Sequence, residues 1–379
     1  MPNDATAQTQ NQSKDDVYYG PSWYGLDHST LSEIKKLNPS KPLWAAVWAW
    51  VWIVLLVKGY LFLWNNYSWA IYVYPVFALF VAGRAGVFLQ LAHEAAHGLI
   101  SDDKKFNDWF GHWMCTAPLG FDLRGYTEGH MRHHACTNQV SCDPASDIEK
   151  YKLVDIRRPK LWGLFLKDIS GLTALFVRLM YDQPDLNKYR KEIQEYLETE
   201  EGYTQVDPDK LTMADRLKKY GSMALVQLVV LGALFMFNPI HYVLLWFVPL
   251  ATAHMFLMRV RGIAEHGMAL QLGLTQAELE KKTRGMFFTR SFGTPMNRYS
   301  IPLFNFIERC LIGSLSVYYH HEHHLFPKVP YYNLARAHQL VAEKVKSFNP
   351  AVYAKGYFAC LFFNFNHNQT VPHPKPNFP

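Results

Sequence analysis

Cysteine is scarce in this sequence. Five stand in 379 residues, Cys115, Cys136, Cys142, Cys310 and Cys360, an odd number at no zinc or ferredoxin spacing. That pattern predicts reduced thiols and leaves no place for an iron–sulfur cluster. Cys136 and Cys142 flank a histidine cluster, where they read as passengers ahead of ligands. A basic run of nucleic-acid type is also missing, since 38 Lys and Arg against 32 Asp and Glu give a mild net charge of +6. The first 40 residues are polar, contain Asp4, Asp15 and Asp16, and show no positive n-region leading into an apolar h-region, which argues against a cleaved secretory signal. Nor do they resemble an Arg- and Ser-rich transit peptide. Internal repeats, low-complexity segments and a His-Pro-Gly-Gly haem motif are all lacking.

What the chain has is bunched hydrophobicity. A mean hydropathy of −0.11 suggests a soluble protein, but the apolar residues are concentrated in long runs. Leu43 to Trp64 carries one charge, Lys58, and is about the 20 residues a bilayer crossing needs. After the polar turn Asn65-Asn66-Tyr67-Ser68, Trp69 to Leu91 predicts a second crossing. Arg84 lies late in it and should snorkel or pair near the exit interface in a structural role. Tyr220 to Phe237 and Ile240 to Met258 predict a second pair, joined at Asn238-Pro239.

Between the pairs, Phe106 to Leu123 is apolar but too short to cross, and reads as re-entrant or interfacial. Leu161 to Met180 is amphipathic, with Lys167, Asp168 and Arg178, and is expected along the surface. Asp182 to Lys219 is a charged, helical, soluble insertion. Tyr299 to Tyr319, interrupted by Glu308 and Arg309, reads as a helix lying against the bilayer. The short turns lack Lys and Arg, whereas Lys14, Lys35, Lys36, Lys41, Arg259 and Arg261 flank the other ends, which places both termini in the cytoplasm. The expected fold is therefore an all-α membrane protein of four transmembrane helices in two hairpins, with a cytosolic helical cap. Its divisions are a polar segment 1–42, a first hairpin 43–98, an interfacial region 99–219, a second hairpin 220–258 and a cytosolic region 259–379, whose tail after Phe363 is extended.

Histidine carries the chemistry. Of 17, His93 and His97 stand at i and i+4; His130, His133 and His134 repeat the i, i+3, i+4 spacing, and so do His320, His323 and His324. Such positions share a helix face, so each cluster can point at one spot. A helix starting at Trp69 rises about 1.5 Å per residue and exhausts a hydrocarbon core of roughly 30 Å near residue 89, so His93 and His97 emerge into water. With His266, which follows the fourth crossing, the imidazoles number nine. Catalytic zinc takes three protein ligands and structural zinc four, so two metals with four or five imidazoles each fit better than one. Imidazole accommodates iron, copper, nickel or zinc. An apolar substrate at a membrane site favours redox chemistry on C–H bonds, and hence iron.

The three boxes, HxxxH at His93 and His97, HxxHH at His130, His133 and His134, and HxxHH at His320, His323 and His324, resemble the integral-membrane fatty-acid desaturase and hydroxylase superfamily. Leu325-Phe326-Pro327, Pro330 and Asn333-Leu334 continue the third box as in desaturases, and Thr137-Asn138 and Asp143-Pro144 follow the second in the same style. The likeness runs from about residue 69 to 340. It implies a cytosol-facing site with two iron ions (Fe2+), O2 as co-substrate, removal of two vicinal hydrogens from a fatty acyl chain, and a separate electron donor of cytochrome b5 or ferredoxin type. The implied partners are the lipid bilayer, the acyl substrate and that donor, with no nucleic acid. Lipid, alkane or carotenoid hydroxylases and ketolases share the boxes and remain the alternative. Glu265-His266-Gly267 is similar to the single-histidine element of membrane alkane hydroxylases, although Gly267 stands where a tyrosine is expected.

Other residues read less sharply. His254 is the runner-up to His266 and more simply an interhelical hydrogen-bonder. His321 falls in a spacer position, His112 lies in the re-entrant segment, and His28, His241, His338, His367 and His373 are isolated. Glu94, Asp122, Asn138, Asp143, Asp147 and Glu322 are candidates to orient ligating imidazoles through the second ring nitrogen, each equally readable as a solvated carboxylate or helix cap. A tunnel lined by aromatic residues of the crossings would select the reacting methylene by position, although aromatics at helical spacing are more often packing. Two rivals come from other classes: a membrane zinc metalloprotease, since His93-Glu94-Ala95-Ala96-His97 satisfies HExxH, and a non-catalytic metal-binding receptor. The protease reading leaves the two HxxHH clusters unused, and the receptor is told apart by whether O2 is consumed with any lipid.

Overall fold

The computed structural model describes residues 24–135, 137–138, 143, 158–175, 212–268, 288–295 and 298–363. Cys136, Cys142, Asp147, the first 23 residues, most of the charged segment 182–219, and the tail with His367 and His373 lie outside them. After a short α1 (His28–Ile34), four helices among the described residues are long and apolar enough to cross a membrane: α2 (Ser40–Asn66), α3 (Ala70–Ala96), α7 (Met213–Phe235, apolar from Leu217) and α8 (Pro239–His266).

On α2 the residues at 46, 49, 53, 57 and 60 follow a three-four repeat. Ala46, Ala49, Ile53, Val57 and Tyr60 are buried, while Trp44, Trp48, Trp52 and Leu55 stay exposed. Small side chains at the head of the buried stripe let the helix backbones approach, as membrane helices require in the absence of a hydrophobic drive between them. Tyr60 stacks on Phe77 of α3 at 4.5 Å and donates to the Ala70 carbonyl at 3.3 Å. Trp50 bridges Phe88 of α3 and Trp246 of α8, at 4.8 and 5.7 Å between ring centroids. At the head of α8 the Asn238 side chain accepts from the N–H groups of Ile240 and His241, at 3.0 and 3.1 Å, so the turn after α7 is capped locally. Two π-helical stretches, Val243–Phe247 and Leu250–His254, widen α8 before its histidine end.

The connecting segments are more tightly docked than their sequence suggests. A helix α4 (Lys104–Phe110) continues as a π-helical stretch, Gly111–Thr116, and is tied to α7 by Gln227, which donates to the carbonyls of Ala117 and Pro118 at 2.7 and 2.8 Å. Helix α5 (Leu123–Ala135) follows. The described part of the amphipathic stretch is α6 (Arg158–Ile169), exposed on one face and docked by the other. Trp162, Leu166 and Ile169 do face outward, but Asp168 is fully buried and paired with Arg259 of α8, with Thr173 donating to it at 2.6 Å. A buried carboxylate needs such a partner, and Arg259 supplies it.

The helix expected over Tyr299 to Tyr319 breaks. It is formed only as α9 (Pro302–Leu311), within which Glu308 turns inward to accept from Tyr299 Oη–H and from the N–H groups of Tyr357 and Phe358. After Gly313 a short 3₁₀ turn with Leu315 and Ser316 at positive φ redirects the chain into α10 (His320–Leu325). Helix α9 lies close against α3: a Cβ on Gly83 would sit 2.7 Å from the Cys310 carbonyl oxygen. Arg84 donates to that same carbonyl, the structural pairing its sequence position called for.

Beyond α10, α11 (Leu334–Phe348) packs Ala337, Val341 and Val345 against Tyr24, Ile34 and Phe326. Where such a cluster faces water, each buried Val is worth about 1.5–3 kcal/mol. The strands β1 (Ser291–Phe292) and β2 (Tyr353–Ala354) pair in parallel and hold α12 (Tyr357–Phe363) beside α8.

Candidate metal centre

Helix α3 does not stop at the edge of its apolar run. It continues in register to Ala96, so His93 and His97 share a face four residues apart. Gly98, at φ +72, then takes the left-handed conformation that ends a helix cheaply, and Leu99 N–H returns to the Glu94 carbonyl at 2.8 Å. Helix α5 delivers His130, His133 and His134, α10 delivers His320, His323 and His324, and the last residue of α8 is His266.

These nine imidazoles meet. His93, His97, His130, His134 and His323 form one group, and His133, His266, His320 and His324 a second, with the facing ring nitrogens of each group within 4.8 Å of one another. The division does not follow the boxes. In every cluster the i and i+4 residues share a group, whereas the i+3 residue, His133 or His323, crosses to the other.

The contacts within each group are nitrogen to nitrogen. In the first, Nε2 separations are 2.8 Å for His97–His130, 3.0 Å for His130–His134, 3.0 Å for His134–His323 and 2.9 Å for His323–His93. In the second they are 2.8 Å for His266–His320, 3.1 Å for His320–His324 and 3.2 Å for His324–His133. Burial first, and neighbouring imidazoles second, hold His130, His134, His320, His323 and His324 well below the usual histidine range, and the same burial, with His93 and Lys328 nearby, does so for His97. A neutral imidazole nitrogen offers one proton or one lone pair. His130, His134, His320, His323 and His324 each face two other Nε2 atoms, and one proton or lone pair cannot serve both well. A cation between them would take every lone pair at once. The donor set therefore fits a metal ion in each group.

Several imidazoles are gripped from behind. His133 donates from Nδ1 to Asp143 at 2.8 Å, and Asp143 also accepts the Asn138 N–H at 2.7 Å. Burial would raise the Asp143 carboxyl, but His133 and the Asn138 N–H outweigh it and hold it below the ordinary range. His93 Nδ1 lies 3.3 Å from Glu94, whose other oxygen accepts the Tyr331 N–H at 2.8 Å, and 3.1 Å from the Gln90 amide. Thr137 Oγ1 stands 3.4 Å from His324 Nδ1. Glu94 is thus turned to the back of His93, away from the facing Nε2 atoms, which does not suit the general base of a zinc protease.

Of the carboxylates singled out in the sequence, Asp143 and Glu94 take that supporting place. Asp122 instead caps α5 and lies 3.9 Å from His112. Glu322 is a correction. It stands inside the third box but points the other way, accepting from Ser291, from Tyr353 Oη–H at 3.0 Å, and lying 2.6 Å from His338 Nδ1. On α10 it is two residues, or about 200°, from His320, a signal already present in the spacing. His338, read as isolated, is buried as its partner. Glu265 was missed, and it lies 3.5 Å from His320 Nδ1. Among the described residues, three further histidines stay out of both groups: His254 Nδ1 faces the Ala82 carbonyl at 3.3 Å, an interhelical contact as expected, His321 faces Thr289 and His112 faces Ser222.

A family model described as Fatty acid desaturase matches residues 67–356. Dihydrorhizobitoxine desaturase of Bradyrhizobium elkanii is 26% identical over 295 residues, covering 76% of this chain and 71% of that protein. Two shorter similarities are to the sn-1 acyl-lipid omega-3 desaturase (ferredoxin) of Synechocystis sp., 32% identical over 76 residues and 20% of each chain, and to the omega-3 fatty acid desaturase fat-1 of Caenorhabditis elegans, 36% identical over 67 residues, 18% of this chain and 14% of that one.

Proposed function

This chain belongs to the fatty acid desaturase family, and on that premise we propose that it converts a –CH2–CH2– unit of a fatty acyl chain into –CH=CH–, with O2 as oxidant. The balance is one O2, two electrons and two protons consumed, and two waters released. As a desaturase with four membrane-length apolar helices it is an integral membrane oxidoreductase.

The observation that carries the reading is the convergence of nine buried or half-buried imidazoles from four separate segments into adjoining groups of five and four. His93, His97, His130, His134 and His323 would hold one iron ion, and His133, His266, His320 and His324 the second. Fe2+ bound there supplies O2 activation and oxidising power sufficient for an unactivated C–H bond. The chain's own residues keep the Nε2 lone pairs neutral and convergent, orient His133 through Asp143 and His93 through Glu94, and exclude bulk water by burial. Every methylene of an acyl chain is chemically alike, so regiochemistry comes from position, set by the apolar surfaces between the spans.

The two electrons come from a separate donor protein of cytochrome b5 or ferredoxin type. A ferredoxin is favoured by the name of the Synechocystis relative. The Lys and Arg bias puts the histidine ends of both helix pairs, and the regions 1–42, 99–219 and 259–379, on the cytoplasmic side of a bacterial inner membrane or the endoplasmic reticulum. A second reading of the substrate follows from the relative that matches most of the chain, named for dihydrorhizobitoxine rather than for a fatty acid.

The test is expression in a host lacking desaturases, with iron and reductant supplied, followed by mass-spectrometric profiling of lipids and small metabolites. A new double bond in acyl chains is expected. Unchanged acyl chains together with a desaturated small metabolite would move the substrate to the second reading. Zinc at one ion per chain, in place of about two irons, would overturn the oxidative reading itself.

A further inference from the structure

Glu265 is a buried carboxylate with its hydrogen bonds incompletely used. Its Oε1 accepts from Arg261 Nε at 2.9 Å and from Tyr357 Oη–H at 3.0 Å; its Oε2 accepts from the same Arg261 nitrogen at 3.0 Å. The remaining face of Oε2 is turned to His320 Nδ1, 3.5 Å away. His320 Nδ1 is buried and has no hydrogen-bond partner of good geometry among the described residues. An acceptor with spare capacity thus faces a donor without a partner, and about 0.7 Å separates this contact from the 2.8 Å of His133–Asp143 in the same group.

We propose that Glu265, clamped by Arg261 and Tyr357, is the positioning carboxylate of His320. The inference rests on the nine-histidine reading above and deepens it. A carboxylate that accepts from Nδ1–H fixes the tautomer in which Nε2 keeps its lone pair, and it sets the ring plane. The clamp draws on three elements: α8 supplies Arg261 and Glu265, α12 supplies Tyr357 and α10 supplies His320. Glu265 therefore locks the third box to the end of the fourth span, beside His266 in the same group. Among the described residues each of the three histidine boxes then has a supporting carboxylate: Glu94 behind His93, Asp143 behind His133 and Glu265 behind His320.

The experiment compares the purified full-length protein with Glu265→Gln, Tyr357→Phe and Glu308→Gln, reading iron per chain, the rate of iron loss to a chelator and the Mössbauer spectrum of the iron-loaded protein. Glu308 is the structural control, a buried carboxylate that also bonds the α12 backbone but touches no clustered imidazole. Glu265→Gln is expected to weaken one of the two irons about 10- to 100-fold, so that iron falls from about two toward one per chain and one of two Mössbauer components fades. Tyr357→Phe should keep both irons and release one of them faster, and Glu308→Gln should match the parent. Parent-like stoichiometry, release and spectrum in Glu265→Gln would overturn the inference. So would equal losses in Glu308→Gln, which would make the effect merely structural. Should Glu265→Gln not fold, unchanged chelator release in Tyr357→Phe overturns it instead. A parent protein that binds no pair of irons would sink the underlying reading, an outcome distinct from these.

Discussion

His133 and Asp143 stand ten residues apart in sequence and 2.8 Å apart in space, Nδ1 to Oδ1, both shut away from water. This bond fixes which nitrogen of His133 faces the other imidazoles of its group. Replacing Asp143 with Asn or Ala is expected to weaken metal at that group about 10- to 100-fold while sparing the five-histidine group. Iron analysis with chelator competition checks it, and equal loss from both groups would contradict the assignment.

The sequence left two histidines competing for the end of the fourth crossing. His266 faces His320 Nε2 at 2.8 Å, whereas His254 faces a backbone carbonyl on α3. Iron loading and product formation should therefore survive His254→Gln and fail in His266→Ala, His133→Ala and His323→Ala. Full turnover in any of the last three removes that residue from the ligand set.

Acid should undo the metal-free protein. Folding depresses His97, His130, His134, His320, His323 and His324 below 6.5, chiefly by burial. Between those depressed values and about 6.5 the unfolded chain binds more protons than the folded one, so stability rises with pH through that window and is lost on the way down. Thermal unfolding of chelator-treated protein in detergent should show a midpoint that falls steadily as pH drops below about 6.5, and metal should blunt the fall. A pH-independent midpoint would mean the imidazoles are not buried as described.

The approach of α9 to α3 depends on a missing side chain. A Cβ at position 83 would lie 2.7 Å from the Cys310 carbonyl oxygen and 2.9 Å from Leu311 Cα, backbone atoms that cannot swing aside. Gly83→Ala is expected to cost about 1–3 kcal/mol by overpacking. Gly59→Ala, which meets open space, should be neutral or stabilising by roughly 0.5–1 kcal/mol. Thermal melts of the two variants side by side decide the point, and equal melting would refute the close packing.

The ion pair between Asp168 and Arg259 joins α6 to the fourth span, with both side chains buried. Asp168→Ala strands the guanidinium and should destabilise by about 3–5 kcal/mol. The double variant Asp168→Leu with Arg259→Met should recover much of that loss. Equal destabilisation in single and double variants would show that the packing, rather than the unpaired charge, is responsible.

Much of this protein was legible in its sequence because the decisive features are local. Long apolar runs specify spans by the thickness of a bilayer, and i, i+3, i+4 histidines share a helix face by the pitch of the helix alone. Even the turn of Glu322 away from the clustered imidazoles follows from its place two residues after His320. Other features needed the packed chain. Glu265 supports His320 from 55 residues away and Asp168 finds Arg259 from another helix, contacts that no spacing rule reaches. The same holds for the sorting of nine imidazoles into five and four: helical pitch sets the angle between His130, His133 and His134, but only the way α3, α5, α8 and α10 close on one another decides which group each ring joins.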